Sequence, residues 1–381
     1  MLYELAIVIC LVIATLNLIL NLRSIKITGK HFAMPASTPR ISILIPARNE
    51  EANIGTCLRS LECQDYPDYE ILVLDDGSTD NTANIVRQLE AENFCIHLIQ
   101  GEPLAKGWNG KAYACHQLAK QASGAWLLFV DADTIHEPSM LSSVIAMALQ
   151  NKASLLSGFP RQIASSLTQK VTIPVFNFII MSWLPLWWLQ RDNKPRLSFA
   201  NGQFLFFEKD EYWRVGGHES VKSRIMEDVW LGAEVYRKKG KVLAVDLSPV
   251  VACHMYHNFS QMWHGFAKTI YALTRAPLVM IPAGIVAYML FLGPFYAIFS
   301  QYVLKDLPTT WAFLVVFQVV VIIFMRLLVN QHFKESVISS ILHPVGLGFF
   351  FANAFYVLIR RFSGTGVSWK KRLYDHNSGV G

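Results

Sequence analysis

The sequence predicts an α/β domain, a mostly parallel sheet with helices on both faces, flanked by N-terminal and C-terminal transmembrane helices. Three observations predict it. Residues 41–250 alternate short apolar runs of β type with helical runs. Two acidic motifs, Asp75-Asp76 and Asp131-Ala-Asp133, each close one of the apolar runs. Ligands of open parallel sheets bind beyond strand C-terminal ends, so the shared position strengthens both motifs. Finally, the 381-residue chain is 52% hydrophobic and only 16% charged, too apolar for one ordinary soluble enzyme.

Taken in order, residues 3–22 are almost uniformly apolar and then meet Arg23, Lys26 and Lys30. Their length suits one membrane span. The basic flank puts the N-terminus outside and the following domain in the cytoplasm, with residues 1–24 as an anchor. Ile41–Pro46 is a strand, and Glu51–Leu61 is a helix with Ile54, Cys57, Leu58 and Leu61 on one face. Glu70–Leu74 and Ile96–Gln100 read as strands, Lys111–Gln121 as a helix and Trp126–Val130 as a buried strand. Residues 171–190 hold Pro174, Pro185 and clustered Trp183, Trp187 and Trp188, which suits an interfacial helix pair on the membrane. A buried core helix is the alternative.

Beyond a catalytic domain over 38–270, residues 276–300, 309–329 and 338–360 are apolar, giving about three helices within 276–360. The tail, 361–381, is basic. Lys305 and Asp306 cancel in one connector, and Arg326 precedes the other. Counting spans puts the tail outside, whereas Arg360, Arg361, Lys370, Lys371 and Arg372 favour inside, so the two arguments conflict.

The net charge of +6 gathers beside apolar segments, which implies membrane lipids rather than nucleic acid as partner. Six scattered cysteines with no Cys-x-x-Cys pair argue against a disulfide framework or a structural zinc site. No phosphate-loop or dinucleotide glycine pattern follows the first strand.

On a strand, Asp131 and Asp133 share a face, and two carboxylates there suit Mg²⁺ or Mn²⁺ with bound phosphate. A solvated turn is the plainer alternative. Asp75-Asp76-Gly77-Ser78 is also a natural Asx turn or helix cap. Glu227 and Asp228 open a helix that ends at Lys238-Lys239-Gly240, a charge pattern that complements the helix dipole whatever else those acids do.

In this order, Pro46-Ala47-Arg48-Asn49-Glu50-Glu51, Asp75-Asp76-Gly77-Ser78-Thr79-Asp80, Gly107-Trp108-Asn109-Gly110-Lys111, Asp131-Ala-Asp133 and Glu227-Asp228 resemble the family 2 glycosyltransferases, which have the GT-A nucleotide-sugar-binding fold. The resemblance covers roughly residues 40–270. Gly216-Gly217-His218, Met255-Tyr256, His343-Pro344 and Gly366–Tyr374 further resemble membrane glycosyltransferases of carotenoid and hopanoid pathways.

The resemblance implies a UDP-sugar donor bound by Pro46, Ala47, Arg48, Glu50, Asp75, Asp76, Lys111 and Asp131. It implies a metal held by Asp133 with Asp131, and Asp228 as general base, positioned by Glu227. One displacement then inverts the anomeric centre. Asn201, Gly202, Gln203, His218, Gln261, Trp263 and His264 are acceptor candidates. Gln261-Met-Trp263-His264 stands where polymer synthases carry Gln-x-x-Arg-Trp, and the Arg-Trp pair is absent. The expectation is a multi-pass enzyme of the cell membrane, with its catalytic domain cytoplasmic, that moves glucose to a lipid-like acceptor. A polysaccharide synthase and a non-catalytic membrane scaffold are the alternatives.

Overall fold

The computed structural model describes residues 2–29, 38–191, 198–273, 277–304, 309–369 and 372–374. Lys30, Lys305, Asp306, Lys370 and Lys371, invoked above for topology, lie outside the described residues. The chain divides into two compact units. One comprises residues 25–163 and 188–255 with the C-terminal residues from 368, and the other 1–24, 164–187 and 256–367.

The first unit is the α/β one. Its strands are β1 (Lys26–Ile27), β2 (Ile41–Ala47), β3 (Tyr69–Asp75), β4 (Ile96–Gln100) and β5 (Trp126–Val130). Then come β6 (Thr134–His136), β7 (Leu155–Phe159), β8 (Arg161–Gln162), β9 (Phe204–Glu208), β10 (Val242–Asp246) and β11 (Val251–Cys253). Among the described residues the main sheet has the order β1-β10-β7-β9-β5-β2-β3-β4. All neighbours are parallel except β9, which runs antiparallel to both β5 and β7. A small second sheet, β6-β11-β8, lies in the same unit.

Side chains alternate between the faces of a strand, and the sheet has a core on each face. Ile41, Ile43 and Ile45 of β2 join Leu58, Val73 and Val144 in one core. Leu44 of the same strand joins Leu118, Phe129, Tyr212 and Leu231 in the other. β2 stays paired with β3 to Ala47 but with β5 only to Leu44. Pro46, which has no N–H to donate, stands where pairing with β5 has stopped. The crevice therefore opens between the C-terminal ends of β2 and β5.

The second unit is helical. Leu2–Ser24 packs against Leu167–Trp183 and Thr309–His332, and Phe259–Leu273 packs against His343–Phe362. Among the described residues three helices are long and apolar enough to cross a membrane: Leu2–Ser24, Trp311–His332 and His343–Phe362. Met280–Phe291 and Gly293–Ser300 form a fourth candidate, bent by 48°. Amide and guanidinium side chains tie these helices together, as expected where apolar contact alone gives little specificity. Asn21 Nδ2 donates to the carbonyls of Met181 and Leu184 at 2.8 and 2.7 Å. Arg326 donates to Pro174 O and Ser339 Oγ, both at 2.8 Å.

The 171–190 segment is helical across most of its length. Leu167–Trp183 is one helix, opened by a Ser166–Gln169 capping box, and a short helix Leu186–Leu189 follows Pro185. Val171 to Val175 are consecutively buried, and Leu2–Ser24, Thr309–His332, Ile338–Ile341 and His343–Phe362 pack around the helix.

Candidate functional site

The acidic motifs and Lys111 meet at the C-terminal end of the sheet. Lys111 is placed by Asn109, the N-cap of helix Gly110–Gln121. Its side-chain oxygen accepts from Lys111 N at 3.2 Å, and its amide donates to Arg224 O at 3.2 Å. Lys111 Nζ then lies 2.6 Å from Asp131 Oδ1 and 3.9 Å from Glu227 Oε1, and donates to Gly202 O at 3.2 Å. Burial by itself would lower the Lys111 pKa. The Asp131 and Glu227 charges outweigh it and hold the ammonium above the ordinary lysine range.

Glu227 and Asp228 open helix Glu227–Arg237, after Met226 in a left-handed conformation at φ 63°. That backbone is costly for a residue with a Cβ and turns the chain sharply into the helix. Asp228 Oδ2 accepts from Gly202 N at 2.6 Å and Oδ1 from Val229 N at 2.9 Å. Burial first, and then the Glu227 charge, push Asp228 up from 3.8 to about 6, against Lys111 and the two N–H donors. A Cβ on Gly202 would sit 3.0 Å from Asp228 Oδ2 and 3.1 Å from Lys111 Nζ. Glycine is what lets the backbone pass between them.

At the ends of β2 and β3, two loops are stitched together. Asn49, left-handed at φ 53°, accepts from Thr79 N at 2.8 Å, and Glu50 N donates to Thr82 Oγ1 at 2.8 Å. Asp75 is buried and accepts from Ser78 N at 3.1 Å and Gln100 Nε2 at 3.4 Å, so its carboxylate shapes the turn. Asp76 N donates to Ala47 O at 2.8 Å, and Arg48 lies 4.0 Å from the Asp76 carboxylate and donates to its carbonyl. Ala47, Arg48, Glu50 and Asp76 thus share one loop pair, with Pro46 just before it.

Asp131 and Asp133 stand differently from the strand-face expectation. β5 ends at Val130, and Asp131-Ala132-Asp133 is a turn closed by Thr134 Oγ1 donating to Asp131 O at 2.6 Å. The two carboxylates have separate partners, Lys111 for Asp131 and the Cys253 thiol for Asp133, the latter at 3.5 Å. Among the described residues no group of three or more His, Cys, Asp or Glu side chains is poised around one metal position.

The acceptor candidates divide. Gly202 is in the cluster. Asn201 braces β7, donating to Gly158 O at 3.1 Å. Gln203 is buried and bonded to Gln162 and Cys253. His218 corrects the expectation. It is 1% exposed, sits against Phe129 and has its Nδ1 2.9 Å from the Tyr212 hydroxyl, which places it in the core rather than at an open surface. Burial lowers its pKa to about 3, which keeps the imidazole neutral. Gln261, Trp263 and His264 belong to the helical unit, where Trp263 packs on Phe259, Phe349 and Tyr356. Gln162 carries no motif of its own, and Cys253 lies in Cys253-His254-Met255-Tyr256-His257, a spacing that lacks the second cysteine pair of a structural zinc site. Only strand register brings them to the Asp133 turn.

Residues 42–207 match the sequence family described as Glycosyl transferase family 2, a match that stops before Glu227-Asp228. A 4,4'-diaponeurosporenoate glycosyltransferase of Staphylococcus aureus (strain USA300) is 29% identical over 231 residues, 60% of each chain. The same-named protein of strain bovine RF122 is 29% identical over 253 residues, 65% of each. The chain thus matches under two thirds of these relatives' length. A mannosyltransferase from Pyrobaculum calidifontis, solved with GDP-Man and Mn²⁺, has the same fold at TM-score 0.53 and 16% identity, over 93% of this chain and 99% of that one. The acidic motifs in order, the parallel sheet with its one reversed strand and these matches agree on the GT-A fold, with residues 42–207 similar to the family 2 glycosyltransferases.

Proposed function

We propose that the chain is a membrane-bound, inverting glycosyltransferase that moves one sugar, glucose first, from a UDP-sugar to a hydroxyl of a lipid-like acceptor. The observation that carries this reading is the cluster of Lys111, Asp131, Glu227 and Asp228 around Gly202, at the end of the sheet where such folds bind ligands. It combines a fixed cation with a half-buried carboxylate of raised pKa, a pairing that suits glycosyl transfer to an alcohol.

Arg48, Glu50 and Asp76 hold the nucleoside, with Pro46 and Ala47 as backbone floor. Asp75 supports them from the turn. Lys111 and the N–H groups of its helix start face the diphosphate charge. Asp228 takes the acceptor proton as the acceptor oxygen bonds to the anomeric carbon and the bond from that carbon to the UDP oxygen breaks. Glu227 raises the basicity of Asp228 and holds Lys111. Asp131 and Asp133 offer hard oxygen donors that fit Mg²⁺ or Mn²⁺, whose remaining ligands would come from phosphate and water, as Mg²⁺ sites commonly have it. Such a cation, when bound, neutralises the departing diphosphate. The candidate spans fit a multi-pass place in the cell membrane with the catalytic unit cytoplasmic.

The test is transfer of labelled sugar from a panel of UDP-sugars into lipid extract, with wild type and Asp228→Asn, in Mn²⁺ or EDTA. Metal-dependent labelling of one lipid, lost in the variant, is expected. Long enzyme-retained polymers, or nucleotide binding without transfer to any lipid, would overturn the reading.

A further inference from the structure

A second set of hydrogen bonds ends on Asp133. Gln162 Nε2 donates to Gln203 Oε1 at 3.0 Å. Gln203 Nε2 donates to Cys253 Sγ at 3.1 Å. The Cys253 thiol donates to Asp133 Oδ1 at 3.5 Å. All three bonds run in one direction, so each polarises the next. Because the Gln203 amide uses the sulfur as acceptor, the S–H is directed to the carboxylate.

Strand register explains how these residues meet. β11 lies between β6 and β8, with Cys253 opposite Thr134 on one side and Gln162 on the other. Thr134 directly follows Asp133. The next residue, His254, donates its backbone N–H to Asp133 O at 2.8 Å. Cys253-His254 therefore holds Asp133 by main chain and side chain together. Cys253 is fully buried and Gln203 nearly so, which leaves neither exposed to an acceptor.

We propose that Cys253 and Gln203 are positioning residues that set the plane of the Asp133 carboxylate toward a divalent cation carried by the donor nucleotide. The inference rests on the proposed metal role of Asp133. An ionised carboxylate has about four lone-pair sites, and the thiol contact occupies one of them. Residues that orient metal ligands commonly set affinity by about 10- to 100-fold, and a thiol, as a weak donor, belongs at the low end. Gln203 thereby moves from acceptor candidate to support of the metal side.

The test is Mn²⁺ binding to the full-length protein with UDP present, read from the paramagnetic resonance signal of free Mn²⁺ without any sugar transfer. Cys253→Ala should weaken binding by about 10-fold, while Cys253→Ser, which keeps a donor of similar size, stays within about 3-fold of wild type. Gln203→Leu should fall between them, and Asp133→Asn should lose most binding. Melting midpoints of the same samples establish that each is folded. Wild-type binding by both Cys253→Ala and Gln203→Leu, with loss only in Asp133→Asn, would overturn the positioning role. Equal weakening by Ser and Ala would do the same. Wild-type binding by Asp133→Asn would overturn the metal role itself and this inference with it.

Discussion

Lys111 Nζ stands 2.6 Å from Asp131 and 3.9 Å from Glu227, so one cation neutralises an acid from the turn after β5 and an acid from a helix start nearly 100 residues later. Its carbonyl partner, Gly202, also donates the N–H that holds Asp228. Removing the ammonium therefore does two things. It takes charge from the diphosphate, and it leaves Asp131 and Glu227 to repel each other beside Asp228. Lys111→Met should lower kcat/KM by about 100-fold or more, typical of a lost electrostatic contact at a reacting group. UDP affinity measured in parallel should also fall. Unchanged UDP affinity would assign Lys111 to holding the acids alone.

Asp228 predicts the pH profile. Its pKa is raised from 3.8 to about 6 by burial and by Glu227. A general base works when deprotonated, so kcat should be nearly full at pH 8 and fall tenfold per pH unit well below pH 6. Glu227→Gln removes the neighbouring negative charge and should shift that limb to lower pH. A wild-type rate independent of pH between 5 and 8 would exclude Asp228 as the base whose ionisation limits turnover.

Gly202 separates stability from activity. A Cβ there would crowd Asp228 Oδ2 at 3.0 Å and Lys111 Nζ at 3.1 Å, and the lysine end can swing away at little cost. Gly202→Ala should therefore keep its melting midpoint within a few degrees while losing about 10- to 100-fold in kcat, because a shift of about 1 Å at a catalytic group is enough for that. Loss of folding instead would mean that the site tolerates no local adjustment.

How far the sequence could be read follows from what leaves a periodic trace. β2, β3, β4, β5 and helix Gly110–Gln121 show regular alternation or turn chemistry, and they stand where the pattern puts them. Helix Met140–Asn151 is buried at every position from Met140 to Ala148, so it has no polar face to give a helical period. β9 enters the sheet from a distant segment and reversed, which local pattern does not encode. At the site, Lys111, Asp131 and Asp228 were legible from motif order. Cys253 and Gln162 were not, because their partnership depends on register in a three-stranded sheet. His218, an acceptor candidate by resemblance alone, is packed against Tyr212 by the glycine backbone before it.

That packing makes the last prediction. The Tyr212 hydroxyl accepts from His218 N–H at 3.1 Å and is hydrogen-bonded to His218 Nδ1 at 2.9 Å, and both side chains are buried. Burial lowers the His218 pKa to about 3 and keeps the imidazole neutral. Tyr212→Phe keeps the ring but strips the partner from two buried nitrogens of His218, the backbone N–H and Nδ1. The cost should be about 1–3 kcal/mol of stability. It should appear as a lower melting midpoint in detergent, with KM for the acceptor unchanged in the fraction that remains folded. A raised acceptor KM with unaltered stability would return His218 to the acceptor side of the site, against its burial behind Phe129 and Tyr212.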